Sequence, residues 1–137
     1  MKPEEALQAE LQKIRYLEAQ IGALKQQMDL LLRTLNEISN TKSVLDNFTE
    51  EKEGFVSLGA GVLARAKIPA QDVLLVDVGS GVLVEKPVSE VKKELTKKEV
   101  ALKQELEKIR SVIAQLQQEY EKSVGVIQKL SQGGAVV

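Results

Sequence analysis

Leu58-Gly59-Ala60-Gly61-Val62-Leu63 and Val78-Gly79-Ser80-Gly81-Val82-Leu83 are two copies of one phrase near the middle of the chain. Each is an apolar run, a small glycine turn and a second apolar run, the pattern of a β-hairpin. Four strands follow: Phe55 to Leu58, Val62 to Ile68, Val73 to Val78 and Val82 to Glu85, with Pro69, Ala70, Gln71 and Asp72 between the hairpins. Val62, Ala64, Ala66 and Ile68 alternate with Leu63, Arg65 and Lys67, so the second strand is half exposed. The third is apolar on both faces and reads as an inner strand. Two-stranded units are marginal in water and their edges invite another chain. These strands are therefore expected to complete themselves against other subunits, as a sheet or barrel. Phe55, Leu58, Gly59, Gly61, Val62, Val73, Leu75, Val78, Gly79, Gly81 and Val82 carry that expectation.

The chain on either side repeats every seven residues. Before the hairpins, Leu7, Ile14, Ile21, Met28 and Leu35 occupy one heptad position, a, and Leu17, Leu24, Leu31, Ile38 and Leu45 occupy d. Glu10 at d and Lys42 at a interrupt. Pro3, Glu4 and Glu5 suit a helix start, and Gly54 suits its stop. A helix from about residue 4 to about residue 50 would span roughly 70 Å. After the hairpins, Pro87 and Ser89 announce a second helix, with Ser89 as its N-cap. Leu95, Leu102, Ile109, Leu116 and Leu130 fall at d, and Leu106, Ile113, Tyr120 and Ile127 at a; Glu99 and Ser123 interrupt. Such long repeats with polar residues elsewhere signal coiled coils. Gly133 to Val137 is expected to leave the helix as an apolar tail.

The fold class is accordingly mostly α: a long antiparallel coiled-coil helical hairpin with two central β-hairpins that join an intersubunit β-barrel. It forms a single elongated domain over 1–137. Residues 1–53 make the first arm, 54–87 the assembly hub and 88–137 the second arm. Antiparallel pairing would set Leu7 near Leu130, Ile21 near Leu116, Met28 near Ile109 and Leu35 near Leu102, bringing the two ends of the chain together. Off the seam, Leu11, Leu30 and Leu32 widen the apolar stripe. Leu7 and Leu11 can also be read as an exposed sticky tip, and Val124, Val126, Ile127 and Leu130 make the opposing end apolar.

Composition narrows the function classes. Aromatics are 3% of 137 residues and Trp is absent, so no bulky globular core is expected. Cysteine and histidine are both absent, which removes thiolate chemistry, disulfides, zinc-thiolate sites and the commonest general base. A formal net charge of -1 gives nucleic acid little to bind. No apolar run approaches a membrane span or a signal-peptide core, so the expectation is a cytoplasmic protein without a membrane or nucleic-acid partner. Gly59-Ala60-Gly61-Val62-Leu63-Ala64 does match the dinucleotide pattern G-x-G-x-x-G/A. That pattern requires a helix to follow, whereas here the residues alternate as a strand up to Pro69. No catalytic residue, cofactor or metal is expected.

The order of elements, with Leu58-Gly59-Ala60-Gly61-Val62, Val76-Asp77-Val78-Gly79-Ser80-Gly81-Val82 and Val84-Glu85-Lys86, resembles the alpha-class subunit of prefoldin, particularly its archaeal form, over essentially the whole chain. The doubled hairpin separates this class from the beta class, which carries one. The resemblance implies an ATP-independent chaperone, a hexamer of two alpha-class and four beta-class subunits. Their hairpins form a double β-barrel from which six coiled coils hang. The coil ends hold non-native proteins and deliver them to a group II chaperonin. By that resemblance Leu7, Leu11, Val124, Ile127 and Leu130 are the candidate client contacts. The competing reading is a structural coiled-coil adaptor for one folded partner, which has little use for surplus apolar residues at the coil end.

Overall fold

The elements run α1 (Pro3–Leu45), β1 (Lys52–Gly59), β2 (Val62–Ile68), β3 (Val73–Asp77), β4 (Leu83–Pro87) and α2 (Val88–Ala135). They are seen in a computed structural model that describes residues 2–46, 48 and 50–135, the last three by their backbone alone. Two compact units result: one of α1 up to Thr34 with α2 from Leu102, the other from Leu35 to Ala101.

The first unit is an antiparallel helix pair. Tyr120 Oη donates to Glu18 Oε1 at 3.2 Å, and Gln27, Leu30, Leu31 and Thr34 line one groove with Glu105 and Ile109. Early residues of α1 thus meet late residues of α2, and the Glu18–Tyr120 contact fits the register expected from the heptads. The seam is where the repeat puts it. Every a and d residue of α1 from Leu7 to Leu45 is buried or half-buried, Glu10 and Lys42 included; off the seam only Ala6 and Thr34 are. In α2 every seam residue from Leu95 to Leu130 is likewise buried or half-buried. A heptad stripe brings its apolar side chains back to one line per two turns, so this is the face the helices must cover.

The second unit joins the last turns of α1 and the first turns of α2 to two antiparallel hairpins, β1–β2 and β3–β4. α1 ends at Leu45, not near residue 50. The Asp46 N–H still bonds the Lys42 carbonyl, but the Phe48 N–H takes the Leu45 carbonyl in a tighter turn and the Phe48 carbonyl accepts from Gln71 N–H. That long-range bond draws the backbone out of the helix. Gly54 is no helix stop. It lies within β1 opposite Ala66, and a Cβ on it would stand 3.4 Å from Ile68 Cδ1, so it makes room for that side chain. β1 therefore begins at Lys52, earlier than the expected Phe55. Ser89 is not the N-cap either: α2 starts at Val88, whose N–H is satisfied by the Asp72 carbonyl at 2.9 Å. At its other end α2 continues through Gly133 and Gly134 to Ala135, since each residue added to a formed helix gains a hydrogen bond. Val136 and Val137 of the expected tail lie outside the described residues.

The narrow seam makes a direct prediction. Leu17→Ala and Leu106→Ala, both in the buried stripe, should each lower unfolding stability by about 2–5 kcal/mol. Tyr16→Ala, on the exposed face, should change it by less than about 0.5 kcal/mol. Denaturant melts of the three variants check this.

Candidate assembly and client surfaces

Both hairpins turn in the same way. Gly59, Ala60 and Gly61 have φ of 101°, 51° and 79°, and Gly79, Ser80 and Gly81 have 121°, 52° and 76°. Gly59 pairs with Val62, and the Val82 N–H donates to the Gly79 carbonyl at 3.0 Å, so the two-residue loops are Ala60-Gly61 and Ser80-Gly81. Two positive φ angles in a two-residue loop make a type I′ turn, whose twist suits paired strands. The register slips between Ser57 and Gly59, leaving Leu58 as a bulge. A side chain two residues ahead caps each turn: Asp77 Oδ1 accepts from Gly79 N–H at 2.8 Å, and Ser57 Oγ from Gly59 N–H at 3.4 Å. The dinucleotide-like phrase is thus a hairpin turn, with no helix behind it.

These turns carry strands that the chain does not cover. Among the described residues β1 pairs only with β2 and β3 only with β4, so each strand keeps one edge open there. Phe55, Leu58, Val62, Val73, Leu75, Val78 and Val82 of the expected assembly set are all exposed, Leu75 at 63%. The burial that β3 needs on its two apolar faces is not supplied within this chain. The expected assembly set left out further members of this surface. Val56, Leu63, Leu83 and Val84 are also exposed. Val44 and Phe48 join Gly54, Phe55 and Ile68 along a groove of about 470 Å³ rimmed by Glu50, Lys52 and Glu53. Phe55 faces Arg65 across the strands, with the guanidinium carbon 6.0 Å from the ring centre.

Polar links tie β4 to α2, and the end of α1 to α2, in this unit. Lys86 Nζ bonds both carboxylate oxygens of Glu94, at 2.8 and 3.0 Å. The hydrogen bond to Glu94 is the main reason the Lys86 ammonium titrates above its ordinary 10.5; desolvation opposes it, and the charges of Glu94 and Glu90 add to it. Lys42 and Glu99, two of the three charged interruptions of the seam, meet at 3.8 Å, and Lys92 reaches Asp46 at 3.3 Å.

The expected client residues lie together in the first unit. Leu7, Val124, Ile127 and Leu130 are half-buried, whereas Leu11 is 40% exposed. Val126, also 40% exposed, joins them. Tyr120 titrates above its ordinary 10.0, first because of the hydrogen bond it donates to Glu18, then through the Glu18 charge and desolvation. Among the described residues no group of acidic side chains is arranged to hold a metal ion, and no helix is long and apolar enough to cross a membrane.

The family model for the prefoldin subunit matches residues 17–133, which takes in both hairpins and most of both helices and of their seam. The chain belongs to the prefoldin subunit family. It is 29% identical over 131 residues to the prefoldin subunit alpha of Pyrococcus horikoshii, covering 90% of this chain and 86% of that one. The prefoldin subunit alpha of Archaeoglobus fulgidus is 28% identical over 119 residues, covering 85% and 87%. That of Thermoplasma acidophilum is 27% identical over 108 residues, covering 74% and 83%. Among solved structures, a cryo-EM structure of filamentous PFD from Methanocaldococcus jannaschii is similar at 24% identity with a TM-score of 0.47, covering 89% of this chain and 98% of that one. The resemblance seen in the hairpin phrases thus holds over the chain. Prefoldin subunits are non-enzymatic, chaperone-associated chains of hetero-oligomeric assemblies.

Two measurements follow from this geometry. Ala60 and Ser80 hold a left-handed conformation that costs an L-residue about 1–2 kcal/mol. Ala60→Gly and Ser80→Gly should therefore raise the thermal midpoint, and Gly81→Val should lower it. For Tyr120, the raised folded pKa means that its contribution is fully present below pH 10.0 and is lost as pH rises through the folded value. In Tyr16→Phe, which leaves Tyr120 as the one tyrosine of two, phenolate absorbance should appear with a midpoint above 10.0. Adding Glu18→Gln should bring it down.

Proposed function

We propose that this chain is the alpha-class subunit of an ATP-independent chaperone, built with beta-class partners as two alpha and four beta chains. The open edges of β1 to β4 join those partners in an intersubunit barrel. The paired helices hold non-native proteins through apolar residues near their paired ends, Leu7, Leu11, Val124, Ile127 and Leu130. Client is then passed to a group II chaperonin in the cytoplasm. The observation that carries this reading is the hub: two hairpins with open edges and exposed Phe55, Leu58, Leu75 and Val82, which a chain working alone would leave in water. The half-buried and exposed apolar residues of the helix pair support client holding over a purely structural adaptor.

The assembly test is the native mass of the chain alone and with a beta-class subunit; a monomer in both would overturn the hub. For client holding, the wild-type assembly should suppress aggregation of a test protein diluted from guanidinium. A chain lacking residues 1–12 and 122–137 should still assemble yet lose that suppression. Full suppression by the truncated chain would favour the adaptor.

A further inference from the structure

A seam that repeats every seven residues does not by itself choose its alignment, because sliding one helix by a heptad sets apolar residues against apolar residues again. Leu35, Ile38 and Leu45 of α1, and Leu95, Leu102 and Leu106 of α2, would serve as well one heptad along. The charges in and beside the stripe of the second unit are less tolerant. Lys42 stands at a in α1 and Asp46 flanks the stripe at e, while Lys92 and Glu99 stand seven residues apart on one line of α2. Lys42 meets Glu99 at 3.8 Å and Asp46 meets Lys92 at 3.3 Å. Both contacts join unlike charges. Moving α2 by one heptad in one direction would put Glu99 where Lys92 stands, against Asp46, and Leu106 against Lys42. Moving it the other way would put Lys92 where Glu99 stands, against Lys42, and Glu99 against Leu35. Each slip thus brings two like charges together and sets a further charge against a leucine.

We propose that Lys42, Asp46, Lys92 and Glu99 form a charge code that selects one register of the helix pair from its heptad-spaced alternatives. Its effect lies in the penalty on wrong alignments. As partly exposed pairs, the two contacts add little to the stability of the right one. A slipped pair keeps the half-buried Lys42 and Glu99 in the seam without their partners across it, and two like charges side by side. A charged seam residue that lowers stability while fixing alignment is a trade that coiled coils make. One heptad is about 10 Å along the axis, so the code decides which residues of α1 and α2 stand level. The inference is independent of what the helices hold. The backbone bonds from Gln71 to Phe48 and from Val88 to Asp72 also oppose sliding, and they are the competing explanation.

The test reads register directly in the full chain. The sequence has no cysteine, so Asp29→Cys/Glu119→Cys takes two spin labels, one on an exposed position of each helix. Pulsed dipolar spectroscopy of this chain, diluted in unlabelled chain, gives their separation. With the native charges one distance is expected. Lys42→Glu reverses the code, for it repels Glu99 in the present alignment and attracts Lys92 in a slipped one. It should add a second distance, displaced as a slide of about 10 Å along the axis requires. Lys42→Glu/Glu99→Lys should restore the single distance. Lys42→Leu/Glu99→Leu should unfold at higher denaturant yet also show a second distance, and it carries the test should Lys42→Glu not fold. The original distance alone in Lys42→Glu, or in Lys42→Leu/Glu99→Leu where it replaces that variant, would overturn the proposal, since the strand tethers would then fix the register. A second distance that persists in the charge exchange would overturn it as well, because pairing of unlike charges would not be what selects the alignment.

Discussion

The burial of a stripe two residues wide per heptad carries this molecule's stability, and most other features follow from how little it covers. Leu17, Ile38, Leu45, Leu106, Ile109 and Ile113 lie in the stripe and Val91 lies beside it; together they are the buried apolar side chains among the described residues. Each contributes about 1.5–3 kcal/mol when fully removed from water. None of the residues from Lys52 to Pro87 is buried. The helices have a core, and the hairpins have none of their own.

A hairpin without a core keeps its shape through turn geometry and backbone pairing. Three consecutive positive φ angles in each turn accept the cost of Ala60 and Ser80 in the left-handed region and return a tight reversal whose twist suits the strands. The Asp77 and Ser57 side chains satisfy the N–H groups that such a reversal leaves over. What remains unsatisfied lies along the strand edges and the apolar faces. In an assembling subunit that is where unsatisfied groups belong.

The seam was legible because a heptad stripe depends only on spacing: burial follows a and d through Glu10, Lys42, Glu99 and Ser123, where residue type alone would have excluded them. The hairpins were legible from their doubled turns. The end of α1 and the start of α2 were not, because the bond from Gln71 N–H to the Phe48 carbonyl and that from Val88 N–H to the Asp72 carbonyl join residues far apart in sequence. Gly54 misled for a related reason: its role is set by Ile68 across the strand pair, not by its neighbours. Val44 and Phe48 were passed over because they lie off the stripe, and only the folded hub brings them beside Phe55. The candidate client residues were placed by position along the helices and by resemblance. Spacing could not say whether Leu7 or Ile127 is covered or offered, since one apolar side chain at a seam position serves either purpose.

The orientation of the hub illustrates how small energies can still decide function. Lys86–Glu94, Lys92–Asp46 and Lys42–Glu99 are partly exposed pairs, each worth roughly 0–1 kcal/mol. They could not substitute for a core. Yet all three lie in the unit that holds the hairpins, and Lys86 extends from β4 to α2. With the two backbone bonds from Gln71 and to Asp72, the Lys86–Glu94 pair restricts how the strands sit on the helix ends of that unit, while the other two pairs hold those helix ends to one another. An open strand edge pairs with another chain only if its donors and acceptors arrive in register, so presentation matters more than added stability. Apolar packing between hairpin and helix could have done the same job, but it would have consumed the very faces that assembly uses. Polar tethers fix the edges while leaving Phe55, Leu75 and Val82 uncovered for a partner chain.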